Sequence, residues 1–502
     1  MLRLEDEKDP EILRKAAIIL EGENKRLLAM VLDLQRKLLE AQGKGDDQAQ
    51  LRLRLAELEQ QLAMRNKMLF GQSSERRPGQ DSEPPPATDP KQKKGHGPRS
   101  QPRLRTVEVP HDLDEADKTC AACGGQLEEW EGQTEDSEEI DVITREFVIR
   151  KHKRKKYKCR CGACVETAPG PVKLTAGGRY SVDFAIEVAI GKYLDHLPLE
   201  RQVRIMGREG LEVDSQTLWN QLDELAVPLR SAYARLLGFI MGHDVVGADE
   251  TTWKMLGGKD GSKTWRMWAV GCETAVYYKI QDSRSLDSAI KLLGDYQGTI
   301  VCDGYQVYTA LAARYRCIDV ANCWAHCRRK YLEIEGSFPE QAAVILGMIA
   351  ELYAVEKLCP TGPPGDELRR KLRDERSRPV VQRIHQWAMT TRALPEGGLG
   401  KAIAYMLGIW NGLTKFLEDP HVALDNNLLE RCMRGPVVGR KNHYGSRSLR
   451  GTQVAAILYS LIETAKLVGI DPKAYLRTAT LAGLRGEVVP LPHELVAATT
   501  SE

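Results

Sequence analysis

Residues 244–251, DVVGADET, and 298–305, GTIVCDGY, decide how this chain is read. Each is a short run of small or β-branched apolar residues that ends on an aspartate, Asp249 in the first and Asp303 in the second, as a buried strand with a polar tip does. The sequence around them alternates between strand and helix signals. Trp265 to Cys272 and Ala275 to Gln281 predict two more strands, and Leu286 to Gly294 a helix. Tyr308 to Arg314 predicts a second helix and Arg316 to Ala321 a fifth strand. The order is therefore strand, strand, strand, helix, strand, helix, strand, an α/β arrangement in which strand ends gather in space.

That order is the one of a ribonuclease-H-like core. Carboxylates at strand ends suit in-line displacement at a phosphodiester, where two hard divalent ions activate the attacking oxygen and stabilise the leaving one. Asp249 would bridge both ions, Mg2+ or Mn2+, and Asp303 would hold one. A third acid is then needed from a helix further along, and residues 425–434, DNNLLERCMR, offer it. At helical spacing Asn426, Asn427, Glu430, Arg431 and Arg434 fall on neighbouring faces, so an acid, amides and cations sit together. Standing alone, the segment reads equally well as a capped surface helix with an internal Glu-Arg pair. Asp425 lies where a cap is expected, and Glu463 sits in an apolar helical stretch, Ala455 to Val468, made for packing.

The rest of the chain is modular. With 502 residues, 42% hydrophobic, it is long enough for three or four domains, and its net charge of +2 hides local runs. It carries neither a secretory signal nor an apolar run long enough to span a membrane, so a cytoplasmic protein is expected, nucleoid-associated when bound to DNA. Leu13, Leu20, Leu27 and Leu34 repeat at heptad spacing, with Ala17, Asn24, Val31 and Leu38 between them. Over 11–70 this predicts a coiled coil that makes a homodimer or higher oligomer; an amphipathic hairpin on its own chain is the alternative. Residues 71–103, rich in Pro, Ser, Gly and charge, read as a flexible linker.

Of twelve cysteines, five lie in two tight groups. Cys120, Cys123, Cys161 and Cys164 form two CxxC hooks suited to a structural Zn2+ in a module over 104–170, with Cys159 an alternative to Cys161. Residues 145–160 hold nine Lys or Arg against one Glu. Lys151, Lys153, Arg154, Lys155 and Lys156 fit phosphate contacts, although the acidic stretch Glu128 to Asp141 offers them partners within the chain. The segment 180–235 predicts helices with a turn at Gly210 and a cap at Asp214, which fits a helix-turn-helix or a packed hairpin alike.

Taken in order, these motifs are similar to those of the insertion-sequence-66 family of transposases nearly end to end. The resemblance rests on Leu69-Phe-Gly-Gln-Ser-Ser-Glu75, the cysteine hooks, Asp249-Glu-Thr and Asp303-Gly-Tyr. It continues through Cys323-Trp-Ala-His326-Cys-Arg-Arg329, Asn426-Asn-Leu-Leu-Glu430-Arg and Leu461-Ile-Glu-Thr-Ala-Lys466. It implies a catalytic triad of Asp249, Asp303 and Glu430 in a domain over 243–455, a helical insertion over about 336–420, and a family-specific C-terminal segment, 456–502. The implied activity is DNA strand cleavage and strand transfer at the terminal inverted repeats of an insertion element and at target DNA, with accessory proteins of the same element as further partners. Where the family more often shows a simple CxxC, this chain has Cys-Arg-Cys-Gly-Ala-Cys. His326 reads as structural or as a contact to element ends, with metal binding lacking further ligands nearby. Arg328, Arg329, Arg440 and Lys441 read as phosphate contacts, the last two within a basic, glycine-rich run from Arg440 to Gly451. Two other classes fit the same modules: a DNA-binding regulator that has kept an inactive core, and a metal-dependent nuclease that cuts without joining.

Overall fold

The computed structural model describes Lys118 and residues 145–158, 165–258, 261–360 and 362–499. The expected coiled coil, the linker and the five clustered cysteines lie outside these described residues. A small antiparallel pair, β1 (Lys156–Lys158) and β2 (Val165–Thr167), brackets the residues that carry Cys159, Cys161 and Cys164. The basic segment before it is extended and exposed, with Phe147 packed edge-on against Phe184.

Four helices follow: α1 (Val182–Tyr193), α2 (Leu199–Arg208), α3 (Ser215–Ala226) and α4 (Arg230–Met241). Ser181 caps α1 through Phe184 N at 3.1 Å, and Asp214 caps α3 through Thr217 N at 2.6 Å, so the expected cap is present. These helices are not a detached module. Leu218, Leu222, Leu225, Leu236 and Ile240 belong to one apolar cluster with Val246, Ala248 and Tyr278 of the central sheet.

That sheet has the order β5-β4-β3-β6-β7. β3 (Val245–Gly258), β4 (Gly261–Cys272) and β5 (Ala275–Gln281) form an antiparallel meander. β6 (Gly298–Cys302) and β7 (Ile318–Asn322) run parallel to the start of β3. Helices α5 (Leu286–Leu293) and α6 (Gln306–Arg314) make the crossovers. The strand β3 is longer than expected. Asp249 does not end it; the chain continues to Gly258 because the alternating run from Thr251 to Met255 pairs with β4, residue for residue, from Lys263 to Met267.

After β7 come α7 (Trp324–Ile334), α8 (Pro339–Glu356), α9 (Pro363–Leu372), α10 (Arg378–Thr390), α11 (Gly398–Gly408) and the short α12 (Trp410–Thr414). Their apolar faces, with Tyr331, Ile349, Ile384 and Met406, enclose a second cluster against Val301 and Ala321. The chain returns to the sheet in α13 (Asn427–His443) and α14 (Leu449–Leu467), then closes with α15 (Pro472–Leu484) and α16 (Pro492–Thr499).

Two segments after the insertion are tied to the sheet. The run from Arg440 to Gly451 is not an open loop. Gly445, at φ +104°, lies against the Lys254 backbone where a Cβ would collide, Ser446 N donates to Lys254 O at 3.0 Å, and Leu256 N donates to Ser446 O at 2.7 Å. The segment is thus pinned to β3. Helix α14 runs unbroken across positions 455 and 456, buried on nearly every side. Its Thr464 hydroxyl receives Val276 N and donates to Val276 O, both at 3.1 Å, and its Ser460 hydroxyl receives Tyr278 N at 2.8 Å. The Tyr233 hydroxyl of α4 donates to Tyr278 O at 2.6 Å. Side chains thereby satisfy the outward backbone groups of the edge strand β5.

Candidate active site

The register of the parallel strands decides which side chains meet. Gly247 pairs with Val301, and Val301 with Ala321. Two residues further on, on the same face of the sheet, come Asp249, Asp303 and Cys323. Three neighbouring strands therefore present an acid, an acid and a thiol at one height. The Asp249 Oδ1 accepts Glu250 N at 2.8 Å, and the Asp303 Oδ1 accepts Tyr305 N at 2.9 Å. The buried Asn322 amide donates to Asp303 O at 2.8 Å and ties the end of β7 to that of β6.

Helix α13 brings the third acid over this row. Two glycines let it approach: Gly247 and Gly271 are cross-strand partners, and a Cβ on the first would stand 2.6 Å from Asn426 Oδ1 and on the second 3.1 Å from Leu429 Cδ1. Asn426, the buried N-cap residue, donates through its side-chain amide to Ala248 O at 3.0 Å and through its backbone N–H to Cys323 Sγ at 3.3 Å. The start of α13 is thus fastened to β3 and to the end of β7, with Glu430 in its first turn. Asp425 is spent locally, accepting Asn427 N at 3.0 Å.

The electrostatics follow from that crowding. Burial, then the negative charges of Glu250, Asp303 and Glu430, push the Asp249 carboxyl up to about 7. Glu250, next in sequence, points to the opposite face. Its carboxylate accepts the Tyr308 hydroxyl at 2.8 Å and Arg284 Nε at 2.7 Å, and that guanidinium lies 3.7 Å over the Tyr305 ring. No sequence signal marked Arg284, because a single arginine after β5 is unremarkable until the fold stacks it beside the strand ends. On Glu430, Oε1 is buried without a hydrogen-bond partner and stands 3.6 Å from His326 Nδ1, which is buried and equally without one.

The cations expected to touch DNA lie in three places. Arg328, Arg431, Arg434 and Lys441 are exposed on α7 and α13, and Arg329 is exposed beside Arg328. Arg440 is half-buried and donates to the Thr251 hydroxyl at 2.9 Å and the Thr252 hydroxyl at 2.6 Å, strapping α13 to β3. Lys151, Lys153, Lys155 and Lys156 are exposed, as is Arg154, whose Nε donates to Ala168 O at 2.5 Å. Among the described residues no helix is long and apolar enough to cross a membrane.

Two aspartates at neighbouring strand ends of a mixed sheet, with a helix that carries a third acid beside them, define the class of site: an acidic cluster on an α/β fold. Comparison with known proteins gives the family. The family model described as Transposase IS66 family matches residues 177–454, and that described as zinc-finger binding domain of transposase IS66 matches residues 117–162. The chain belongs to the IS66 transposase family and has its zinc-finger domain. The second match takes in Cys120, Cys123, Cys159 and Cys161 and ends before Cys164. Relatives include two proteins of Sinorhizobium fredii (strain NBRC 101917 / NGR234). Uncharacterized protein y4jD is 32% identical, the match covering 76% of this chain and 77% of its own. Uncharacterized protein y4hP is 28% identical, with 75% and 74% covered. No solved structure matches the chain.

Proposed function

We propose that the chain is a DDE transposase that binds insertion-element ends and carries out metal-dependent strand cleavage and strand transfer on a ribonuclease-H-like core, with Asp249, Asp303 and Glu430 as the catalytic carboxylates. The observation that carries this reading is the strand register that brings Asp249 and Asp303 to one sheet face, together with a pinned helix that carries Glu430 in its first turn, close enough for its charge to act on Asp249. The donor set fits hard divalent ions: all three are oxygen ligands, and the acid with the raised carboxyl is one whose ionised form lacks a counter-charge. When bound, Mg2+ or Mn2+ would activate the attacking oxygen and stabilise the leaving one. The protein's own part is positional. Asn426 sets where Glu430 stands, Asn322 holds the Asp303 strand end, and Glu250 with Tyr305 orients Arg284 as a preorganised cation beside the acids.

Around that centre, the exposed Arg328, Arg329, Arg431, Arg434 and Lys441 and the 151–156 stripe supply phosphate contacts. Zinc held by Cys120, Cys123 and two of Cys159, Cys161 and Cys164 stabilises the module between them, and the heptads pair two copies on paired element ends.

Exchanging a carboxylate for its amide keeps the size but removes the charge that holds a cation. Glu430→Gln should abolish cleavage of a labelled element end in Mg2+ or Mn2+ while a gel shift at fixed salt stays near normal. Asp425→Asn and Glu463→Gln should keep measurable cleavage. Near-normal cleavage by Glu430→Gln with loss in either other variant moves the third ligand; cleavage without joining to target DNA makes the protein a nuclease.

A further inference from the structure

We propose that Cys323 Sγ, His326 Nδ1 and Glu430 Oε1 form a second metal site, one for a borderline-soft divalent ion such as zinc, that shares Glu430 with the hard-ion site. The inference rests on the reading of Glu430 given above and adds two ligands to its other side.

The ligand atoms lie within 4.8 Å of one another, and the imidazole nitrogen and carboxylate oxygen are 3.6 Å apart. Bonds of about 2.3 Å to sulfur and about 2.0–2.2 Å to nitrogen and oxygen at tetrahedral angles put such atoms about 3.3–3.6 Å apart. The imidazole–carboxylate spacing thus matches two ligands of one ion and is too long for a hydrogen bond, and the sulfur lies within 4.8 Å of both. Both His326 Nδ1 and Glu430 Oε1 are buried with no hydrogen-bond partner, a condition that costs free energy unless something else satisfies them.

The sulfur is set for the same task. Cys323 is fully buried at the N-cap of α7, at the height of the two aspartates, and its sulfur receives the backbone N–H of Asn426 at 3.3 Å. The spacing from Cys323 to His326 is one helical turn, which carries the imidazole back over the cap. Thiolate plus imidazole selects a softer ion than an all-oxygen set does. Three protein ligands leave a fourth position open, as in zinc sites that admit water or substrate. On binding, the thiol proton passes to solvent and the sulfur-metal bond forms, with no change of oxidation state.

The test is equilibrium dialysis of the full-length chain against micromolar zinc under a non-chelating reductant, followed by metal analysis. Wild type should retain one zinc per chain more than Cys323→Ser and one more than His326→Ala, with Glu430→Gln reduced likewise. Because His326→Ala leaves the buried thiol in place, it decides the matter if Cys323→Ser does not fold. Equal zinc in wild type and His326→Ala overturns the proposal. If His326→Ala loses the ion but Glu430→Gln cleaves DNA normally, the catalytic reading of Glu430 fails and the zinc site stands. Equal zinc in all chains with a cleavage-dead Glu430→Gln gives the reverse.

Discussion

Glu430 and Glu463 sit on consecutive helices over the same sheet, yet their surroundings oppose each other. Glu463 is buried in α14, and Lys466 Nζ donates to both its oxygens, at 2.9 and 2.8 Å. Gly435 of α13 leaves the space it fills. Glu430 stands at the start of its helix with one oxygen unmatched and a histidine nitrogen unmatched beside it. A carboxylate with a cation on both oxygens is finished as structure; one with a buried oxygen left unmatched has a vacancy in its chemistry. On the reading proposed above, the difference separates a packing acid from a working one without any appeal to position along the chain.

The largest effect that tests this contrast is on cleavage. Asp249→Asn should reduce element-end cleavage to background, whereas Glu463→Gln should cleave at a measurable rate per folded molecule; loss in the second with retention in the first would invert the contrast. A smaller effect concerns stability. Gly435→Ala drives a methyl group into the Glu463 carboxylate and should cost about 1–3 kcal/mol in urea unfolding, as overpacked cores do. An unchanged midpoint would mean that Glu463 has room to move and is less fixed than its hydrogen bonds imply.

The smallest effect is on the pH profile of the metal-free protein. The Asp249 carboxyl sits at about 7 in the folded chain against 3.8 as its ordinary value. Between those values the folded state binds the proton more tightly than the unfolded state, so stability is greatest at the acid end and falls as pH rises toward 7. Asp249→Asn should flatten that fall, and Mg2+ should bind more tightly as pH rises through the same window. Glu463, whose carboxyl burial also raises, adds a slope of the same sign that this substitution leaves in place. Coincident stability profiles for wild type and Asp249→Asn between about pH 4 and 7 would remove the buried, uncompensated Asp249 from the account.

How much of this was legible in the sequence depended on distance along the chain. An apolar run ending on an acid is a local signal, and it located Asp249 and Asp303; the amide-rich approach to Glu430 and the cap at Asp214 are local too. The length of β3 was hidden because an acid at position 249 reads as an end, while its continuation depends on pairing with β4. The pinning of Gly445 and Ser446 to Lys254 spans about 190 residues, so the run from Arg440 to Gly451 read only as basic and glycine-rich. Likewise, Cys323 gains meaning only from the register of β7 on β6, which no spacing of residues specifies in advance. The demand for glycine at Gly247 exists only once α13 lies across it, whereas Gly271 is crowded first by the Ala275 carbonyl of its own hairpin.

The side chains that meet β5 have a consequence for assembly. With Ser460, Thr464 and Tyr233 occupying the amides and carbonyls of Val276 and Tyr278, those two positions of the edge have no docking valence for another strand. A second copy of the chain, or a strand from a misfolded neighbour, finds nothing there to template. Copies can be joined through other surfaces without opening a route to sheet extension on this side.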